Sequence, residues 1–530
     1  MTFRVWWKRE GWGWYAAAVA AVLLSLVNVY SRNVQIFQPA QRMVSGLVLW
    51  AAVSVAVVAS AFLLHAMVSR LARRMRWPEA AQASWMAWGM AAVTAAVYVR
   101  MSFYALYVFS VRQLAPRLVV AAAFIFCIWA ALTLLLRRLQ WKGSLLLLLV
   151  LAGLQGAQGW WSARALGRSL RAVEAPEELR RRYGTLRPCN IHVLLLESYQ
   201  STAWMQDFLN IDNSPLEAEL EGLGFRIYPS TFANYISTLP SLQALFLMQH
   251  HYNRSATGEE DSHHVRQMLS GRLYNPVLSI LKQNGYRIRY RLQTDQLYFP
   301  EAAGEVVDES WISGRGLLVP LNTFLYPHVF HERRIPDYRA RLVEAARREG
   351  AQETSAPSFT LMKAGLFHLY SFQNSVDPRV WRREVAATLE VENRFLTDYC
   401  RTVVEADPDA VIILMGDHGA YAYGGRWWRG AENRPPADVL AAQGLPPDRV
   451  ARDMAEIFLA IRWGTRDAPP RRILSPVNLF RDLFEHLGTG AVLDGGRAED
   501  ATYSGTPPHL YRVAKDGQPL AEWEHWVVSD

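Results

Sequence analysis

Cysteine is scarce: three residues in 530, at Cys127, Cys189 and Cys400. That count excludes a disulfide framework as the source of stability. Cys127 lies in an apolar run, whereas Cys189 and Cys400 fall in the polar part, where spacing alone leaves open whether they pair. Lysine is scarcer still relative to its partner type, five against 51 arginines, a bias of coding composition that carries no mechanism. Acidic residues are almost missing from the first 160 positions, which hold Glu10 and Glu79 against fifteen Lys and Arg. The remaining chain holds 41 basic and 46 acidic residues, so the net charge of +8 belongs to the first third. The acidic remainder gives no reason to expect a nucleic-acid partner. Past the first third there is no internal repeat and no low-complexity tract, which excludes a solenoid.

What the first third does have is long apolar runs, at about 12–30, 44–68, 84–109, 118–136 and 143–161. Each matches the ~20 residues that cross a hydrocarbon core as a helix. The first is long for a cleaved signal and is followed by four more, which favours a retained span. Trp6, Trp7, Trp14, Tyr30, Trp141, Trp160 and Trp161 cluster at the run ends, as interface anchors do. With the N-terminus inside, the cytoplasmic segments collect Arg4, Lys8, Arg9, Arg70, Arg73, Arg74, Arg76, Arg137, Arg138 and Lys142. The outer loops hold only Arg32, Arg42, Arg112 and Arg117, so the positive-inside bias is met. Five spans then put everything after 161 outside the cytoplasm. Residues 162–188 read as a charged helical connector at the membrane surface, and 189–530 as the extracytoplasmic domain. The Arg-rich, Lys-poor composition favours a Gram-negative periplasm.

From 189 onward strands and helices alternate. "IHVLLLE" and "DAVIILMGDHG" are buried strands ending in charge; "FRIYPSTFAN", "SFTLMKAGLF" and "IFLAIRWG" are further strands. "SPLEAELEGLG", "VWRREVAATLEVENRFLTDYCRTVVEA" and "VNLFRDLFEHLG" have helical period, and "LYNPVLSILKQNGYRIRYRLQ" is helix, glycine turn and strand. This pattern predicts an α/β domain, a mixed and mostly parallel sheet with helices on both faces.

Two of the strands share a design, one ending at Glu197 and the other at Asp417 and His418. Ligand sites of parallel sheets lie off the carboxyl ends of the strands, so these three can converge. Two carboxylates and an imidazole make a site for Zn²⁺ or Mn²⁺, with Mg²⁺ open. The segment "ANYISTLPSLQALF" supplies a hydroxyl, Thr238, at the positive end of a helix dipole with Pro240 near the helix start. Such a hydroxyl is either an ordinary helix cap or, beside a metal, a nucleophile for phosphoryl transfer.

The spacing Thr238-Leu-Pro-Ser241-x-x-Ala244-Leu245 resembles the sulfatase nucleophile motif, with Thr in the place of the modified cysteine. With "LLLES" before it and "GDHG" after it, the chain resembles the sulfatase-fold branch of the alkaline phosphatase superfamily. Within that branch it is similar to lipoteichoic acid synthases, phosphoglycerol transferases and phosphoethanolamine transferases, which also join about five spans to an extracytoplasmic catalytic domain. The resemblance implies a sulfatase-like fold, one divalent metal held by Glu197, Thr238, Asp417 and His418, and Thr238 as nucleophile. It implies a phospholipid donor and a glycan or lipid acceptor. It also points, through a loose match, to His368 as an acid or base. The motif departs from formylglycine sulfatases at Thr238 and at Leu242, which argues against sulfate-ester hydrolysis of that type. Two extracytoplasmic cysteines cannot supply the disulfides usual in phosphoethanolamine transferases. Where lipoteichoic acid synthases carry a substrate histidine this chain reads "YRLQTD", leaving Arg291 and Asp295 as substrate-binding candidates.

Arg426 and Trp428, in "YAYGGRWWRG" directly after the metal turn, suit either a phosphate and sugar grip or the membrane surface. His250, His251, His263 and His264 sit in a polar stretch that reads as a loop over the site, a solvated surface or a second metal site. Three functions compete: a head-group transferase, a hydrolase of the same fold, and a non-catalytic membrane receptor or scaffold. The complete set of Glu197, Thr238, Asp417 and His418 argues against the last.

Overall fold

The computed structural model describes residues 184–250, 275–292, 306–312, 329–350, 356–365, 378–420, 446–488, 496–505 and 510–525, with scattered positions elsewhere. Most of the five apolar runs, and residues 162–183 of the connector, lie outside them. Among the described residues no helix is long and apolar enough to cross a membrane. The chain divides into two compact units, Met1–Leu170 with Pro320–Phe324, and Arg171–Val319 with Leu325–Asp530.

The second unit runs β1 (Ile191–Glu197), α1 (Ser214–Gly222), β2 (Arg226–Ile227), β3 (Thr231–Phe232), α2 (Thr238–Leu247) and α3 (Pro276–Gln283). It continues with β4 (Arg287–Leu292), β5 (Glu309–Ile312), α4 (Val329–Gly350), β6 (Ser358–Gly365), α5 (Pro378–Ala406) and β7 (Val411–Gly416). It ends with α6 (Pro447–Ala455), β8 (Glu456–Ile457), β9 (Leu459–Trp463), α7 (Leu479–Leu487), β10 (Ala501–Ser504), β11 (Tyr511–Lys515) and β12 (Gln518–His525).

Seven strands form one sheet in the order β2-β9-β7-β1-β6-β4-β5. The pairs β7–β1, β1–β6, β6–β4 and β4–β5 are parallel; β9 alone runs against its neighbours. This is the mixed, mostly parallel sheet that the alternation predicts. Every residue of β1 and β7 is buried, because a central parallel strand is covered on both faces and reads as an unbroken apolar run. Side chains alternate between the faces. Ile191, Val193 and Leu195 join Phe359, Leu361, Val411, Ile413 and Met415 in a core with α2, α3 and α7. Leu194 and Leu196 join Met362, Ile412 and Leu414 in a second core with α1, α4 and α5.

Local chemistry sets the helix ends. Asn275 caps α3 by accepting the Leu278 amide at 3.0 Å, Pro276 follows as its first residue, and Gly285 at φ +76° turns the chain into β4. "FRIYPSTFAN" is not one strand: Ser230 at φ +59° breaks it into β2, on the large sheet, and β3, which pairs with β8. The three-stranded antiparallel sheet β10-β11-β12, covered by α6, has no signature in the sequence pattern, because its strands lack a continuous apolar run. Cys189 and Cys400 are both buried and unpaired, which settles the pairing question left open by spacing. Burial pushes the Cys189 thiol up to about 11 and that of Cys400 higher still.

Candidate metal centre

The parallel register brings the charged strand ends together. Leu195 of β1 stands beside Met415 of β7 and Lys363 of β6. Two residues further along, on the same face, come Glu197 and Asp417. Ligand atoms of Glu197, Asp417 and His418 all lie within 4.8 Å of one another, and all three residues are buried. Among the described residues this is the group of metal-ligating side chains that converges.

The turns that aim these side chains are tightly built. A Cβ on Gly416 would come within 2.3 Å of the Tyr199 carbonyl oxygen. One on Gly419 would come within 2.2 Å of the Met454 carbonyl carbon. Glycine on each side of Asp417-His418 is therefore a packing requirement. After β1 the chain turns through Ser198, which is fully buried at φ +54°, a left-handed conformation costly for any side chain. That turn points the Ser198 amide at Asp417 Oδ1, which it reaches at 2.9 Å; the His418 amide donates to the same oxygen at 3.0 Å.

Asp417 Oδ2 accepts a hydrogen bond from Thr238 Oγ1 at 2.8 Å. Thr238 is the first residue of α2, next to its cap Ser237, so the hydroxyl sits at the positive end of the helix. A clamp holds the preceding loop: Ser241 Oγ donates to the Tyr235 carbonyl at 2.7 Å and accepts the Tyr235 amide, and Asn234 Nδ2 donates to the Ser241 carbonyl. The serine of the "STLPS" motif thus has a structural task, fixing where Thr238 stands.

His418 Nδ1 lies 2.8 Å from the Gly419 carbonyl, which can only accept, so Nδ1 carries a proton and Nε2 faces the carboxylates. Nε2 is 3.6 Å from Glu197 Oε1 and 3.8 Å from Asp417 Oδ2. Burial alone would push this imidazole down, but Asp417 and Glu197 outweigh it and hold His418 at about 9. The same field that favours a proton on Nε2 favours a cation there. Two buried carboxylates, an imidazole oriented through its other nitrogen and an adjacent hydroxyl fit a divalent metal.

Lys363 belongs to no motif in the sequence. It is buried, its ammonium is ion-paired to Glu197 Oε2, and it lies 3.8 Å from Asp417 Oδ2. Burial disfavours its charge, yet Glu197 and Asp417 raise its pKa above the ordinary lysine value. The available signal was compositional: in a chain with five lysines, one stands inside the apolar strand "SFTLMKAG".

Arg291 does not belong to this cluster. It pairs in register with Met362, on the opposite face of the sheet from Lys363. There it is ion-paired to Glu309 and Glu349, beside Arg289, which bridges the same two acids. A one-residue difference in register decides the face. His250 is not solvated, and among the described residues it joins no group of metal-ligating side chains. It is buried against Tyr235 and Tyr503, with Nε2 3.0 Å from the Glu499 carbonyl. His251, His263, His264, Asp295, His368, Arg426 and Trp428 lie outside the described residues.

No family model and no curated protein sequence matches the chain. Solved structures similar to it include the C-terminal periplasmic domain of EcEptC from Escherichia coli in complex with Zn, 12% identical, with a TM-score of 0.39 over 64% of this chain and 93% of that one. The C-terminal periplasmic domain of the phosphoethanolamine transferase EptC from Campylobacter jejuni is 11% identical, with a TM-score of 0.34 over 57% and 90%. A protein in the alkaline phosphatase superfamily from Vibrio parahaemolyticus is 13% identical, with a TM-score of 0.37 over 64% and 80%. At such identities and TM-scores they assign neither a substrate nor a metal to this chain.

Proposed function

We propose that this chain is a metal-dependent phosphotransferase of the sulfatase and alkaline phosphatase type, working through a phospho-threonine at Thr238. The observation that carries this reading is the 2.8 Å hydrogen bond from Thr238 Oγ1 to Asp417 Oδ2, within the buried group formed with Glu197 and His418. A hydroxyl at a helix N-terminus whose proton is already directed at a carboxylate is poised to attack phosphorus.

Glu197, Asp417 and His418, with Thr238, would hold a divalent ion, Zn²⁺ or Mn²⁺. When bound, that ion supplies Lewis-acid chemistry, lowering the hydroxyl's pKa and offsetting charge on the phosphoryl oxygens. Thr238 Oγ1 forms a bond to phosphorus as its proton passes toward Asp417 Oδ2. The phosphorus–oxygen bond to the lipid breaks, and the lipid leaves as its alcohol after protonation, a task proposed for His368. An acceptor hydroxyl then attacks the same phosphorus, restoring Thr238 and carrying the head group away. The proposed donor is a membrane phospholipid and the acceptor an extracytoplasmic glycan or lipid. The proposed setting is the outer side of the cell membrane, reached by five N-terminal spans with the N-terminus inside.

The test uses the full-length protein in lipid nanodiscs with phosphatidylglycerol or phosphatidylethanolamine labelled in the head group. Label should pass to Thr238 and on to an added acceptor, detected by intact mass and by thin-layer chromatography. Thr238→Ala should abolish both while retaining metal. Release of label to water alone would make the protein a hydrolase of this fold. Unchanged turnover in a metal-loaded Thr238→Ala protein would overturn the nucleophile assignment.

A further inference from the structure

The partners of the two carboxylates divide their oxygens. Asp417 Oδ1 accepts two backbone amides, Ser198 and His418, so Oδ2 alone faces the centre, where Thr238 Oγ1 and His418 Nε2 also lie. Glu197 Oε2 is engaged by the Lys363 ammonium, which leaves Oε1 on the side of His418 Nε2. Each carboxylate therefore offers one oxygen. We infer that Lys363 is a positioning residue that holds Glu197 to a single ligating oxygen and so gives the centre a compact set of four protein atoms. This rests on the metal reading of the site and deepens it.

The consequence is selectivity. Zn²⁺ accepts four ligands and an open tetrahedral geometry, whereas Mg²⁺ demands six oxygens in a near-ideal octahedron. A chelating Glu197 would widen the set toward the larger coordination numbers; an ammonium on Oε2 prevents it. The task needs a positive charge held at Glu197 Oε2, which the Lys363 ammonium supplies. It reaches the site from β6, whose Lys363 stands next to Leu195 in register, two residues before Glu197 on the same face.

The experiment compares the full-length protein with Lys363→Met and Lys363→Arg, each loaded with zinc and studied by X-ray absorption. Zn²⁺, Mn²⁺ and Mg²⁺ affinities are measured by competition with a chelating dye. The wild type and Lys363→Arg should lack the short metal–carbon path of a chelating carboxylate, and Lys363→Met should show it. The preference for Zn²⁺ over Mg²⁺ should narrow at least tenfold in Lys363→Met and by less than threefold in Lys363→Arg. A purely structural lysine would lower stability without moving either readout, and unchanged selectivity in Lys363→Met overturns the inference. If Lys363→Met does not fold, the wild type still decides, since a chelating Glu197 there overturns the inference alone. A wild type that takes up no divalent metal overturns the metal reading, and this inference with it.

Discussion

Ser198→Gly, one residue from the Glu197 carboxylate, is expected to stabilise the protein. Ser198 is fully buried at φ +54°, and its Oγ has no hydrogen-bond partner among the described residues. A left-handed conformation costs an L side chain about 1–2 kcal/mol. A buried hydroxyl left without a partner costs about 1–3 kcal/mol. Glycine removes both terms. Against this stand about 0.5–1 kcal/mol of extra backbone entropy in the unfolded chain. A further ~1 kcal/mol is lost with the packing of one carbon. The balance is a gain of about 2 kcal/mol, or about 4–8 °C in Tm for a domain of a few hundred residues. Asp417 keeps both amide donors, because the Ser198 contact runs through the backbone. Ser198→Val should do the reverse, since a branched side chain at positive φ is strained and no larger group fits a fully buried position. Differential scanning fluorimetry of the three proteins in one detergent reads both signs. A lower Tm for Ser198→Gly than for wild type would refute the strain argument.

Gly419→Ala should cost about 3 kcal/mol or more, because its Cβ meets the backbone of Asp453 and Met454, which cannot give way as a flexible side chain would; chemical denaturation checks this. Acid should destabilise the protein well before its carboxylates titrate. Burial lowers His192 to about 3 and His250 to about 4, so at these two sites the unfolded chain binds more protons than the native one below about pH 6.5. Their contribution is complete above that pH and is lost as pH falls toward 4, and a pH series of melting curves should show a shallower acid limb in His192→Gln. Cys189 and Cys400 should resist a thiol reagent in the native protein and react after denaturation, counted by mass spectrometry with Cys127 replaced by Ser.

The strands that end in Glu197 and in Asp417-His418 are legible because buried parallel strands are unbroken apolar runs, and it is the two charged ends taken together, not either alone, that mark a candidate site. Thr238 is legible through its helix start and the "STLPS" spacing. Lys363 is not, because a lysine within a strand usually marks an edge, and only the pairing of β6 with β1 and β4 shows that this strand is central. Arg291 is put on the other face of the sheet from Lys363 by its register, which its sequence neighbourhood does not reveal.

By itself the sequence determined the α/β alternation, the two charged strand ends and the threonine at a helix start, since local periodicity and the covalent neighbours of a motif are written along the chain. It also determined the asymmetry between an apolar, basic first third and a polar, acidic remainder. Tertiary structure alone decided that β6 lies beside β1, and therefore that Lys363 meets Glu197 while Arg291 turns away. It alone decided that both cysteines stay apart. Strand order and register are set by packing between segments far apart in sequence, and no local pattern of residues encodes which neighbour a strand will find.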